Sequence, residues 1–394
     1  MYHVADTGAL VRDGILTDQQ AAIIRDRARA TMVALALNTL LVGGIIAATG
    51  GLILWLASPL SVALSGGMLL ACGLGILLRG RDLYRLFGNA ATLIGAGMLA
   101  GGAGLELGTS YPDLASPIML ALGGAMAALA GRAYLKAPAA LRFATGAVTL
   151  MGVALVIGGL GFAAAHYDLS GWPMVGIHAA VFAALVGAGW LLDLRIVTAL
   201  AIVPFAQMLD TGTFYWHAMY AFYSPEPTLS ILQLSALIAA CLWLARRGGE
   251  VVQRQAGILA IMAFVVANLC FLVGSLWGDV VGETLWGPGY SDWDNYDQWT
   301  LDRDAFRASA LSIREHVYSL VWAALLAGAA VWAAMTARRG LFNTAMTFAG
   351  IHAYTQAFET FGAEPLVFAI GGLLAIPLAW GLWRLNDRFK PTAP

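Results

Sequence analysis

The chain has 394 residues, of which 60% are hydrophobic and 11% charged, with a mean hydropathy of +0.75 and a net charge of -1. A soluble domain carries about 25% charged residues and cannot keep this much apolar surface away from water. The composition excludes a cytosolic enzyme, a secreted disulfide scaffold, a disordered protein and a nucleic-acid binder, and so small a net charge gives no field that attracts polyanions.

The first 30 residues carry mixed charges and precede the first apolar run. Thr17, followed three residues later by Gln20, fits a capping box and predicts that a helix starts there. The basic run from Arg25 to Arg29 favours a short amphipathic helix on the cytoplasmic surface, with its arginines near lipid phosphates. A solvated helix that leads directly into the first span fits the same residues.

Apolar runs long enough to cross a membrane follow along the rest of the chain, since about 20 residues of helix span roughly 30 Å of hydrocarbon. The predicted spans are 31–57, 60–78, 86–107, 117–135, 143–165, 174–192, 195–210, 228–245, 253–277, 310–337, 341–361 and 365–385. The runs are unbroken and lack period-two alternation, which favours helices over a β-barrel. The sequence therefore predicts an all-α integral membrane protein with about twelve transmembrane helices.

The positive charges indicate which side each loop faces. With the N-terminus in the cytoplasm, 19 of the 22 Lys and Arg residues fall on the inner side. Only Arg303, Arg307 and Arg314 lie outside, as the positive-inside rule requires. Both termini are therefore predicted to be cytoplasmic, with a transmembrane domain over 31–385 and a tail over 386–394.

One long loop, 278–309, separates the ninth and tenth spans and is predicted to be periplasmic. Its acidic and aromatic side chains are the candidates for binding: Asp292, Asp294, Asp297, Trp293 and Trp299. The aspartate spacing resembles part of a calcium loop, without the glycine and closing glutamate of an EF-hand. Tryptophan beside carboxylates also suits sugar binding, and an interfacial lid with aromatics at headgroup depth is the third interpretation.

Three predicted hairpins look alike and suggest a three-fold internal repeat of four helices. They are formed by spans three and four, seven and eight, and eleven and twelve. Pro227 precedes Arg246 by the same spacing as Pro365 precedes Arg384. Because outward helices tend to start at an arginine and end near an acid, chance accounts for part of the likeness.

Ionisable groups at membrane depth are costly and usually mark a site or a pathway. His352, Gln356 and Glu359 are spaced i, i+4, i+7 and share one helix face. They predict a substrate or proton path that leads inward from the periplasm. Interhelical hydrogen bonds that hold the bundle together are the alternative role.

Further polar residues lie in the outer halves of other spans. Glu106, Gln207 and Asp210 are added to the predicted substrate or ion pathway. The predicted cluster at the outer interface consists of Arg314, Glu315, His316 and His178. Neither histidine nor cysteine spacing matches a metal motif, so no metal and no cofactor are predicted.

Two segments of the sequence carry a resemblance. One is the run from Gly14 to Gln20, followed by Ile23 and Ile24, and the other is the helix from Arg339 to Glu359 with Asn343 and Tyr354. Together they resemble a class of bacterial multi-pass membrane proteins grouped as domains of unknown function. The resemblance covers about a quarter of the chain. It implies a bacterial inner-membrane location and no particular activity.

Three functional hypotheses remain open at this point. The first is a transporter or carrier-like protein with an outward-facing polar site. The second is a structural or sensory subunit of a membrane complex, and the third is a membrane-embedded enzyme acting on a lipid-linked or glycan substrate. Walker, nucleophile-elbow and HExxH motifs are missing, which favours a non-enzyme. Bound lipid and a membrane-protein partner or second copy are the expected partners.

Overall fold

The computed structural model describes residues 7–55, 58–79, 85–216, 219–289, 296–336, 338–362 and 364–366, with the isolated positions 369, 372, 373, 376 and 380. Within these residues the chain is helical apart from two small antiparallel sheets. The long apolar helices are Pro59–Arg79, Gly88–Ser110, Pro112–Lys136, Leu141–His166, Trp172–Leu192, Pro227–Arg247, Glu250–Trp277 and Glu315–Met335. These eight helices are long and apolar enough to cross a membrane, which is consistent with the predicted all-α, multi-pass membrane protein.

The chain divides after Asp168 into two compact units. Unit 1 contains the helices α1 (Thr7–Arg12), α2 (Asp18–Trp55), α3 (Pro59–Arg79), α4 (Arg85–Ser110), α5 (Pro112–Lys136) and α6 (Ala139–His166). The predicted capping box is confirmed, because the Thr17 N–H donates to Gln20 Oε1 at 3.0 Å and the Gln20 N–H donates to Thr17 Oγ1 at 3.2 Å. From this cap, α2 continues without a break to Trp55, so the basic N-terminal stretch and the first predicted span belong to one helix.

Glycines set the spacing between the helices of unit 1. A Cβ atom on Gly66 of α3 would lie 2.5 Å from the Leu99 backbone nitrogen of α4. In the α5–α6 pair, a Cβ on Gly152 would lie 2.5 Å from the Ala127 nitrogen. These backbones therefore approach as closely as small residues allow, which is the usual way that helices pack in lipid.

Unit 2 is less regular. Its elements are α7 (Trp172–Leu192), α8 (Arg195–Leu200), α9 (Ile202–Gln207), β1 (Gly212–Trp216), β2 (Met219–Tyr223), α10 (Pro227–Arg247), α11 (Glu250–Trp277), β3 (Asp279–Val280), α12 (Glu283–Trp286), α13 (Tyr296–Ser309), β4 (Ser312–Ile313), α14 (Glu315–Met335) and α15 (Arg339–Phe361). Strands β1 and β2 form a hairpin, whereas β3 and β4 pair Asp279 with Ile313 across the long predicted loop. Helices α10 and α11 pack around Leu234, Ala263 and Cys270.

The antiparallel pair α10–α11 defines two ends of unit 2. At one end Asp193, which follows α7, accepts hydrogen bonds from Arg254 at 2.6 Å and Gln255 at 2.7 Å, both near the start of α11. At the other end, where Asp279 follows α11, Thr211 lies 2.6 Å from Ser230 in the first turn of α10. We call the first the Arg254 end and the second the Asp279 end.

The predicted seventh span, 195–210, consists of α8, α9 and a turn rather than one long helix. Arg195–Gln207 reaches only about 20 Å at 1.5 Å per residue. The segment nevertheless starts beside Asp193, at the Arg254 end, and reaches Thr211 at the Asp279 end. The turn makes up the length that the two short helices lack.

Candidate functional site

A cavity of about 790 Å³ lies at the Asp279 end, between the β1–β2 hairpin, the start of α10 and the β3–β4 sheet. We call it the hairpin cavity. Its volume falls within the range of about 300–1,000 Å³ that is usual for ligand sites. Its charged lining residues are Asp279, Glu283, Arg307, Arg314 and Glu315, and its aromatic ones are Phe214, Phe222, Tyr223 and Trp277. The site therefore combines opposite charges with apolar walls.

Asp279 is placed in the cavity by the turn that ends α11. Gly278 has φ of +68°, a conformation that favours glycine, and a Cβ atom there would lie 2.7 Å from the carbonyl oxygen of Ile313. The turn brings Asp279 directly opposite Ile313 in the β3–β4 pair. As a result Asp279 lines the cavity while the residue is only 7% exposed.

The two carboxylate oxygens of Asp279 differ in their hydrogen bonding. Oδ2 accepts hydrogen bonds from the Thr228 N–H at 2.9 Å, the Thr228 hydroxyl and the Tyr318 hydroxyl at 3.0 Å. The hydroxyl groups of Thr228 and Tyr318 also contact each other. Oδ1 is buried and has no hydrogen-bond partner among the described residues. Because a buried unpaired acceptor is costly, this oxygen is the strongest sign of a missing donor.

Glu226 is also buried, at 3% exposure, but its carboxylate is fully engaged. Oε1 accepts from the Gly282 N–H at 2.7 Å and Oε2 accepts from the Thr284 N–H at 3.0 Å. These two bonds attach the start of α12 to the start of α10. We call the described residues from β3 to β4, 279–289 and 296–313, the cap segment, and Glu226 fixes the start of α12 within it.

A second attachment of the cap segment is ionic. Glu283 Oε1 lies 3.0 Å from Nη2 of Arg307, and the same carboxylate pairs with Arg303. Burial would raise the pKa of Glu283, but hydrogen bonds from Arg307 and Arg303 and their positive charges outweigh it and leave this pKa below its ordinary value. Glu283 is therefore ionised and holds α13 against α12.

Only two of the five predicted binding residues of the long loop, Asp297 and Trp299, lie within the described residues. Asp292, Trp293 and Asp294 lie outside the described residues. Asp297 is exposed at the start of α13, whereas Trp299 donates from Nε1 to the Pro288 carbonyl at 3.0 Å and its ring lies 5.1 Å below the Arg303 guanidinium. Trp299 thus helps to hold the cap segment together.

The predicted path residues His352, Gln356 and Glu359 lie on α15, which packs beside α11 and α14. The His352 ring meets Trp322 edge-on at 4.7 Å between centroids, and Trp322 donates to Asn268 Oδ1 at 2.7 Å. His352 Nδ1 and Gln356 Nε2 are both buried without a partner among the described residues. Asn268, Trp322 and His352 each lie about 10–14 Å from the Asp279 end of their helices, at 1.5 Å per residue. Glu359, by contrast, is exposed.

The other predicted pathway residues are divided between the two units. Burial, and secondly the negative charge of Asp210, raises the pKa of Tyr223. The same charge acts on His178 of α7. Gln207 ends α9 just before this turn. Glu106 belongs to unit 1, where Oε2 accepts the Leu60 N–H at 3.2 Å and so caps the start of α3.

The predicted outer-interface cluster is partly gathered at the cavity. Arg314 and Glu315 line it, and His316 is exposed with Nε2 at 3.8 Å from Glu315 Oε1. His178 lies on α7, outside the cavity lining. Within the described ranges, no three His, Cys, Asp or Glu residues are arranged to hold a metal ion.

Sequence reasoning did not single out the residues that build the centre of the site: Glu226, Thr228, Asp279 and Tyr318. Two local signals precede them. Glu226-Pro227 stands before an apolar helix, where proline at the first helical position is common, and Gly278-Asp279 directly follows one. Their meeting depends on pairing across some 50 to 90 positions, which no local pattern contains.

Comparison of the chain with family models, curated proteins and solved structures gave no match. The resemblance seen at Gly14–Gln20 and at Arg339–Glu359 therefore stays a prediction from those residues. The chemistry of the hairpin cavity has to be understood from its own side chains.

Proposed function

We propose that this chain is a bacterial inner-membrane transporter or carrier whose polar site, the hairpin cavity, opens to the periplasm. The proposed topology has twelve spans with both termini in the cytoplasm. Charge supports this orientation, because the positive-inside rule assigns the more basic end to the cytoplasm. At the Arg254 end of unit 2 the basic residues are Arg195, Arg246, Arg247, Arg254, Arg338 and Arg339.

The Asp279 end carries fewer free positive charges. Two of its arginines, Arg303 and Arg307, share the single negative charge of Glu283. The course of 195–211 from one end of α10–α11 to the other supports counting it as a crossing. That crossing keeps every later loop on its proposed side.

A single observation carries the proposed function: Asp279 lines a cavity large enough for a metabolite, and its buried Oδ1 has no partner among the described residues. An acceptor in this state is stabilised when a ligand supplies the donor. The neighbouring acid Glu226 has both oxygens satisfied, so of these two buried acids only Asp279 has an oxygen without a donor.

A line of polar groups continues from the cavity toward the middle of the helices. Tyr318, which donates to Asp279, lies one turn before Trp322 on α14, and Trp322 contacts His352. His352, with its unpaired Nδ1, forms the inner end of this line, and Gln356, with its unpaired Nε2, lies one turn nearer the Asp279 end. Polar groups at such depth typically mark a transport path.

The test is uptake by proteoliposomes that contain the purified full chain. The vesicles are incubated with a polar metabolite extract, washed, and their contents identified by mass spectrometry. We expect at least one small polar compound to accumulate about tenfold over protein-free vesicles, and Asp279→Asn to abolish this. The matched control is Asp304→Asn, an exposed acid on α13, which keeps full uptake.

His352→Gln is expected to reduce uptake at least tenfold while leaving binding in the cavity intact. Contents equal to those of protein-free vesicles would contradict a carrier. Co-purification of a stoichiometric membrane partner, together with uptake that none of the three variants changes, would instead favour a structural subunit.

A further inference from the structure

We infer that the ligand of the hairpin cavity is a zwitterion with a free ammonium group and a free carboxylate, namely an amino acid or a short peptide. The inference rests on the proposed function of this cavity and specifies its substrate class. Three features of the lining support it: one carboxylate oxygen without a donor, one guanidinium without an anion, and aromatic walls beside them.

The ammonium group would bind at Asp279. Three donors hold Oδ2, so the carboxylate is fixed in orientation and only Oδ1 can accept a further hydrogen bond. Within the cavity lining, the guanidinium of Arg307 is already bound to Glu283. A ligand ammonium supplies both a donor and a positive charge, and charge-assisted hydrogen bonds are about twice as strong as neutral ones.

The carboxylate would bind at Arg314. This residue lines the cavity, and its guanidinium forms no ion pair or hydrogen bond with any described residue, whereas Arg303 and Arg307 share Glu283. A guanidinium presents paired N–H groups that match a carboxylate. Asp279 pairs with Ile313 in the β3–β4 sheet, so Arg314 follows the residue opposite Asp279. Both residues therefore line one cavity, close to the same strand pair.

The remaining walls suit an organic side chain. Phe222, Tyr223 and Trp277 line the same space. A cavity of about 790 Å³ leaves room beyond the two charged groups for a large side chain or a second residue. An inorganic ion would leave this apolar surface without a contact.

The experiment measures ligand-induced stabilisation of the purified full chain in detergent. The probes are the free amino acids and a set of dipeptides, each with its N-acetyl derivative and its carboxamide. We expect one or more zwitterions to raise the melting temperature of the wild type and of Asp304→Asn. The matched N-acetyl derivative and carboxamide should each bind at least tenfold more weakly.

Two variants separate the two charged contacts. Asp279→Asn should lose the preference for the free amine over the N-acetyl derivative. Arg314→Gln should lose the preference for the free carboxylate over the carboxamide, and because Arg314 is exposed this variant is expected to fold even where Asp279→Asn does not. Equal binding of the free zwitterion, its N-acetyl derivative and its carboxamide to the wild type would overturn the inference of a zwitterionic ligand.

The outcomes distinguish this inference from the proposed function. A neutral hexose or inorganic phosphate that stabilises the wild type but not Asp279→Asn, with no response to zwitterions, would overturn the ligand class and leave a carrier intact. Zwitterion binding without uptake into proteoliposomes would uphold the ligand class and overturn the carrier. No stabilisation by any probe, combined with no uptake from the metabolite extract, would overturn both.

Discussion

The two units of this chain use a similar apolar composition in different ways. In unit 1, α3–α4 and α5–α6 are long hairpins whose glycines bring the backbones together, and Glu106 only caps a neighbouring helix. In unit 2 one predicted span, 195–210, is interrupted, and Glu226 and Asp279 are buried where α10 begins and α11 ends. Apolar content alone therefore does not locate the site, whereas buried carboxylates at helix ends do.

The largest effect is expected from Glu226→Ala in unit 2. The substitution leaves the N–H groups of Gly282 and Thr284 without their acceptor, and each unpaired buried group costs about 1–3 kcal/mol. We expect a loss of about 2–5 kcal/mol and release of the cap segment, measured by thermal unfolding and by proteolysis within 279–313. Glu250→Ala, at an exposed acid of α11, serves as control and should change stability by less than about 1 kcal/mol.

Unit 1 should instead be sensitive to a single methyl group. Gly66→Ala places a Cβ atom 2.5 Å from a backbone nitrogen of α4, so α3 and α4 must separate, at a cost of about 1–3 kcal/mol. Gly75→Ala on the same helix meets nothing within 4 Å and should stabilise by up to about 1 kcal/mol through helix propensity. Melting temperatures that move in the same direction for both variants would refute glycine-controlled packing.

The ionic attachment of the cap segment predicts an acid-sensitive step confined to unit 2. Because the pKa of Glu283 is lowered, its contribution to stability is complete above the ordinary value of 4.5 and disappears as the pH falls through the folded-state pKa. Protease accessibility of 279–313 should therefore rise in the wild type below about pH 4.5. In Glu283→Gln the protease accessibility of 279–313 should be high already at pH 7 and change little with acid. If the difference in accessibility between the wild type and this variant stayed the same between pH 7 and acid pH, the result would count against the ion pairs of Glu283 with Arg303 and Arg307.

The smallest effect is expected at the Arg254 end. Asp193 has φ of +53°, which asparagine tolerates, so Asp193→Asn removes the charge without straining the backbone. Hydrogen bonds from Arg254 and Gln255 lower the pKa of Asp193, and for this partly exposed pair we expect a loss of about 1 kcal/mol or less. Chemical denaturation of the two proteins at pH 7 measures it, and a loss above about 3 kcal/mol would mean that this end is as critical as the buried acids.

Local patterns predicted local structure well. The Thr17–Gln20 capping box sets the start of α2, and eight of the predicted spans appear as long apolar helices. The break inside 195–210 has a local signal in Pro204, which has no N–H to donate to the carbonyl of Leu200, the residue at which α8 ends. The three-fold repeat, the full span count and the orientation stay predictions.

The site was predictable only in part, for a physical reason. Arg314 and Glu315 were predicted because charged residues directly before an apolar run are recognisable in the sequence without knowledge of their partners. Asp279 and Glu226 looked like ordinary loop acids, and their burial depends on partners on other elements, such as Tyr318 for Asp279. Long-range pairing of this kind is fixed by the packing of α10, α11 and α14 and leaves no periodic signature.

The short α8–α9 segment has a consequence for the insulating layer of the membrane. Backbone groups of an irregular turn are tolerated within hydrocarbon only where protein or water covers them. In the proposed orientation the turn at Met208–Asp210 begins about 10 Å short of full membrane thickness, since α8–α9 extends about 20 Å of roughly 30 Å. Water following that turn would thin the insulating layer beside Asp210 to about two thirds of its full thickness.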